Sequence, residues 1–152
     1  MSLTHLARTR WLATGALAVG ALALSACSGP PAAPAQPPAA VVPVAGSAVP
    51  RLVLTPGAVQ RLGIQTRPAE AASGGPAVHE SIPYSAVVYD TDGSSWTYVN
   101  IAADTYLRQR ITVVVITGDA ALLSAGPPAG AQVVTVGAPE LLGTEYNISG
   151  EE

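Results

Sequence analysis

The stretch WTYVNIAADTYLRQRITVVVI, residues 96–116, decides the fold. Over its first six residues alternation puts Thr97, Val99 and Ile101 on one face and Trp96, Tyr98 and Asn100 on the other, which predicts a half-buried strand. After a polar break at Ala102 to Thr105 the alternation resumes. Leu107, Ile111, Val113 and Val115 then fall on one side, and Arg108, Arg110, Thr112, Val114 and Ile116 on the other. Arg108 and Arg110 share the face that begins wet, so both guanidinium groups are expected in solvent near the edge of a sheet. Further along, the strand turns apolar on both faces, and its far half is expected to lie under other strands.

Outward from this stretch, composition narrows the possibilities. The chain has 152 residues and a formal charge of -3, with no Lys and no Phe. That is one domain at most once processing segments are set aside. Five of the seven Arg lie after residue 50, together with all ten acidic residues, so the later part is mildly acidic. Nucleic-acid binding, which needs a basic patch, is not expected.

Residues 1–26 read as a targeting segment. His5, Arg8 and Arg10 precede an apolar run from Trp11 to Leu24, too short for a membrane span of about 20 residues. The run ends in Leu24, Ser25, Ala26, Cys27, which resembles the lipobox of bacterial lipoproteins. The resemblance implies that Cys27 becomes the acylated first residue of a mature protein held on the extracytoplasmic face of a membrane. A single Cys cannot form an intramolecular disulfide, and lipidation leaves it no redox role. Residues 27–50 are rich in Pro and Ala and carry no charge before Arg51. They are expected to form an extended tether of polyproline II character, reaching at most roughly 70 Å.

The domain is expected over residues 51–148, followed by a tail at 149–152. Leu52 to Leu54 predict a short strand. Thr55 then caps a helix that has Pro56 in its first turn and Gly63 just past its end, with Val59 and Leu62 facing the core. Ala71 to Pro76 read as a flexible join, and Ile82 to Tyr89 as strand. Asp90 to Ser95 read as a turn, and Thr117 to Asp119 as a second turn. Strands are expected at Ala120 to Leu123 and Gln132 to Val136, and Gly137, Ala138 and Pro139 are expected to break the chain before Leu141. Many short strands at close spacing predict an all-β fold: a small antiparallel β-sandwich or barrel-like domain with one short helix.

The segment RLVLTPGAVQRLGIQTRPAE, residues 51–70, resembles the entry of the periplasmic adaptor proteins of RND-type efflux pumps, the membrane fusion proteins. IPYSAVV at 82–88, Trp96 to Val99, Arg110 to Gly118, and AGAQVVTVGAPELLGTE at 129–145 resemble the same family's C-terminal, membrane-proximal β domain. In that family the membrane-proximal domain is assembled from chain before and after inserted barrel, lipoyl-like and helical-hairpin domains. Here about a dozen residues around Gly74 and Gly75 stand in their place. The resemblance implies a non-enzymatic, lipid-anchored module that docks on an RND-type or related membrane transporter, or on a fuller adaptor protein. The alternative is a cell-envelope lipoprotein that uses the same fold for binding or self-assembly unrelated to transport.

No catalytic, cofactor or metal residues are assigned. Asp90, Asp92 and Gly93 resemble the start of a calcium loop, but the bidentate acid such a loop needs near position 101 is Ile. His79 is the only His after the targeting segment, with no Cys or second His to share a metal. No nucleophile stands in a recognisable elbow, and no glycine-rich phosphate loop is present. Arg108 and Arg110 remain as candidate partner-binding residues, either docking an acidic surface or keeping an exposed strand from pairing with another copy.

Overall fold

A computed structural model describes residues 37–149 apart from 74, 76 and 77, with side chains up to residue 146. The targeting segment, Cys27 and most of the expected tether lie outside the described residues, as do residues 150–152 of the expected tail. In chain order the elements are β1 (Ala39–Val42), β2 (Arg51–Leu54), α1 (Pro56–Leu62), β3 (Gln65–Pro68), β4 (Glu70–Ala71) and β5 (Glu80–Pro83). There follow a 3-10 turn (Tyr84–Ala86), β6 (Val88–Tyr89), β7 (Ser95–Ala102), β8 (Thr105–Arg110), β9 (Thr112–Thr117), β10 (Ala120–Ala125), β11 (Gln132–Val136) and α2 (Ala138–Ser149). The domain is all-β in class and antiparallel throughout, as expected. It has a second helix beyond the single one anticipated.

Seven strands form one sheet in the order β1-β2-β8-β7-β11-β3, with β6 also on β7, and four form another in the order β4-β5-β10-β9. Side chains on a strand alternate between faces, so Tyr98 and Val99 point to opposite sides of the large sheet, as do Val133 and Val134. Tyr98 and Val134 join Leu52, Leu54, Val88 and Tyr106 in a core closed by Ala58 of α1 and by Ala138 and Leu141 of α2. Val99 and Val133 join Ile111 in a second core, closed by Ile82, Ala121 and Leu123 of the small sheet. The layers are helices, large sheet, small sheet.

α1 forms where Thr55, Pro56 and Gly63 place it. Thr55 Oγ1 accepts from Ala58 N at 3.2 Å, and Gly63 takes the left-handed conformation at φ 61°. Gly63 N then donates to Gln60 O and Ile64 N to Val59 O, both at 3.2 Å, closing the last turn.

Five expectations need correction. Ile82 to Tyr89 is not one strand, because β5 ends at Pro83 in the small sheet and, after the 3-10 turn, β6 begins at Val88 in the large one. The Pro/Ala-rich stretch 27–50 is not tether throughout, because Ala39–Val42 pairs with β2 in register Ala39 opposite Leu54 to Val42 opposite Arg51. Pro37, Pro38 and Pro43 flank that strand without interrupting it, and a strand at a sheet edge tolerates them there. Residues 138–149 are a helix and not a broken tail, because Pro139 sits in the first turn, where its missing N–H costs nothing. Strand β7, expected half-buried, is buried on both faces at Thr97, Tyr98 and Val99, since α2 covers one side and the small sheet the other. Finally, the stretch from Leu107 to Ile116 is two strands in different sheets. Buried Ile111 carries the crossing, and its N donates to Ser95 O at 3.0 Å.

That crossing exposes what was expected to be covered. Among the described residues β9 pairs only with β10, at the edge of the small sheet. Val114 is 48%, Val115 46% and Ile116 42% exposed.

Candidate functional site

The richest cluster of polar groups surrounds Arg108. β8 pairs with β7 so that Arg108 lies opposite Tyr98 and Arg110 opposite Trp96, and this is the face on which α2 packs. Arg108 is therefore not a solvent group as expected; its side chain is only 10% exposed. Nη1 meets Asp90 Oδ2 at 2.8 Å and Nη2 meets Glu145 Oε1 at 3.1 Å. The guanidinium carbon stands 4.5 Å from the centre of the Trp96 ring and 5.7 Å from that of Tyr146.

Each acid around Arg108 is held a second time. Tyr98 Oη donates to Glu145 Oε2 at 2.6 Å, and Tyr146 Oη donates to Asp90 Oδ1. Asp90 also accepts from Thr91 N at 2.6 Å. The Tyr146 hydroxyl, then Thr91 N, then Arg108 hold the Asp90 carboxyl well below the usual range, at about 2. Burial, reinforced by the bond to Glu145, pushes the Tyr98 hydroxyl far up. For Arg108, burial works against the charge, but Tyr146, Glu145 and Asp90 outweigh it and the guanidinium stays firmly protonated. The cluster thus joins the 90–94 turn, both central strands and the last turns of α2. It is a clasp.

The partners of Arg108 were not legible as such. Leu141 and Glu145 are spaced as one helix face, a signal present in the sequence but masked by Gly137, Pro139 and Gly143. Arg110, by contrast, is at the surface where it was expected, with its guanidinium 5.7 Å over Trp96. The two arginines are brought to the same sheet face but not to the same environment.

The other candidates resolve simply. Asp90 to Ser94 is the turn between β6 and β7, in which Gly93 N donates to Asp90 O at 2.9 Å and Asp92 Oδ1 accepts from Ser94 N at 2.8 Å and Ser94 Oγ at 2.6 Å. His79 is exposed, its backbone N bonded to Leu123 O at 3.0 Å. Among the described residues no three His, Cys, Asp or Glu side chains come close enough to hold a metal ion. Also among the described residues, no helix is long and apolar enough to cross a membrane. An open groove of about 600 Å³ runs past Gln65, Arg67, Tyr84, Asp119 and Thr135. Comparison with known proteins found no matching family model, no matching curated relative and no matching solved structure.

Proposed function

We propose that the chain is a lipid-anchored, extracytoplasmic, non-enzymatic module that docks on a membrane transporter, as the membrane-proximal domain of an efflux adaptor does. The observation that carries this reading is how the two sides of the glycine-rich join interleave. Chain before the join supplies β2, β3 and β4. Chain after it supplies their partners: β8 for β2, β11 for β3 and β5 for β4. Neither segment has a complete sheet alone, and the join is flanked by the paired residues Ala71 and Glu80. A junction of that kind accepts a short loop or a whole inserted domain with little change to the body. This supports the likeness to an adaptor domain from which the insertions have been removed.

In this reading Cys27 carries the anchor and residues up to about 36 the tether, both outside the described residues. Arg110 is the remaining surface member of the arginine pair. Affinity purification of the full chain from membranes after mild cross-linking is expected to recover an integral membrane transporter or a hairpin-bearing adaptor. Recovery of envelope proteins with no transport component would overturn the reading in favour of a binding or self-assembling lipoprotein. Cys27→Ala is expected to abolish incorporation of a labelled fatty acid, and equal labelling of wild type and variant would remove the anchor from the account.

A further inference from the structure

At β3, an outer strand of the large sheet, the two sheets part and leave the groove of about 600 Å³. Arg67 lies opposite Val133 in the β3–β11 pairing, and opposed residues of a ladder share a face. Val133 packs toward the small sheet, so Arg67 is on the side that looks across the groove. The wall it looks at is made by the 3-10 turn and the β9–β10 turn, with Tyr84 and Asp119. Main-chain bonds hold both walls. Tyr84 N donates to Asp119 O at 2.7 Å, and just past β3 Ala69 N donates to Ala131 O at 2.8 Å. A second cavity of about 140 Å³ adjoins the groove, shares Arg67, Pro83 and Asp119 with it, and adds Glu70 and Ser81.

We infer that this groove binds a short zwitterionic peptide, its carboxylate on Arg67 and its ammonium group on Asp119. The two side chains line the same two cavities with opposite charge, yet they do not pair. The ion pairs among the described residues are both made by Arg108. Arg67 stands on the large sheet and Asp119 on a turn of the small one, so the fold itself keeps them apart. Each is left with its hydrogen-bonding capacity for a ligand that carries both charges. The guanidinium fork fits a carboxylate, and the Asp carboxylate accepts from an ammonium group. A ligand with a single charge answers only one of them. Pro83, Val136 and the ring of Tyr84, which is 41% exposed, give an apolar wall for a ligand side chain. Thr135 Oγ1 donates to Gln65 O at 3.4 Å, which leaves its lone pairs free to accept a peptide N–H. The groove falls within the range of about 300–1,000 Å³ found for ligand sites and exceeds what one free amino acid fills. The inference goes beyond docking and holds whether or not the domain meets a transporter.

Titration of the full chain in mild detergent with the dipeptide Ala-Leu, followed by amide chemical shifts, tests this. Ala-Leu is expected to bind once per chain with a Kd between about 10 µM and 1 mM, shifting the amides of residues 65–67, 84–85 and 118–119. Amidating its carboxyl group or acetylating its amino group should each weaken binding by about tenfold or more. Arg67→Gln should weaken the free dipeptide by about tenfold and leave the amidated one within about threefold. Asp119→Asn should weaken the free dipeptide in the same way and spare the acetylated one. A merely structural role for either side chain would move both forms alike. Both residues are exposed, so neither variant should change the thermal midpoint. Absence of saturable shifts up to about 10 mM, a doubly blocked peptide that binds as tightly as the free one, or a variant that weakens both forms equally overturns the proposal. Shifts confined to residues outside the groove would overturn the location. Free leucine binding as tightly as Ala-Leu would overturn the assignment to a peptide.

Discussion

β8 and β9 are separated by the single residue Ile111, yet one is sealed and the other bare. On β8 and its neighbour β7, Tyr98 and Tyr106 are buried beneath α2, and even a guanidinium is taken out of water and matched with two carboxylates. On β9, three more strongly apolar residues face solvent. Hydrophobicity of a strand therefore does not say how deeply it lies. What decides is which other element reaches it, here a helix that comes from some forty residues later in the chain.

The comparison breaks most completely if the clasp is removed. Arg108→Met removes the buried cation that Glu145 meets at 3.1 Å, and breaking a buried pair in this way costs about 3–5 kcal/mol. Urea unfolding should register the loss, with α2 released first by loss of helical signal. A change within experimental error would mean that α2 is held by apolar packing alone. Tyr98→Phe is milder. It removes the 2.6 Å bond to Glu145 and should cost about 1.5–3 kcal/mol, the range for a hydrogen bond to a charged group.

A third substitution sharpens the contrast from the other face of β7. Thr97 is buried between the sheets, and its Oγ1 has no hydrogen-bond partner among the described residues. Thr97→Val replaces a desolvated hydroxyl with a methyl of similar shape and should raise stability by about 1 kcal/mol in the same unfolding experiment. A loss of stability would show that the hydroxyl is satisfied in solution.

Much of the fold was legible because local chemistry and tertiary position agree. Thr55, Pro56 and Gly63 start and stop α1 wherever it packs, and the alternation in β7 names its two faces correctly. The rest was not legible, for identifiable reasons. Alternation runs through Ile111 without interruption, so nothing local shows that the chain leaves one sheet there for another. Ala39–Val42 lies among prolines that read as tether, although they only bound the strand. Gly137 and Pro139 look like breakers. In fact Gly137 has φ 89° and leaves room for Ile64, whose Cδ1 would stand 2.9 Å from an added Cβ, and the helix starts one residue later. Missing α2 is what put Arg108 in water, so the site error followed from the fold error.

The smallest effect expected is in the pH response. Asp90 has its pKa lowered from 3.8 to about 2, so below 3.8 the unfolded chain binds the proton more readily than the folded one. The contribution is fully present above that value and is lost as pH falls toward about 2. Asp90→Asn should flatten the stability profile between those limits while leaving its shape near neutrality unchanged. An identical acid limb in the variant would assign the loss to other carboxylates.

Amide hydrogen exchange in dilute solution tests the difference between the two halves most directly. Thr97, Tyr98, Val99 and Arg108 should exchange only through global unfolding, whereas the alternate amides of β9 that point away from β10 should exchange at rates close to those of an open chain. Protection of every β9 amide to the level of β7, or equally fast exchange in both strands, would contradict the division at Ile111.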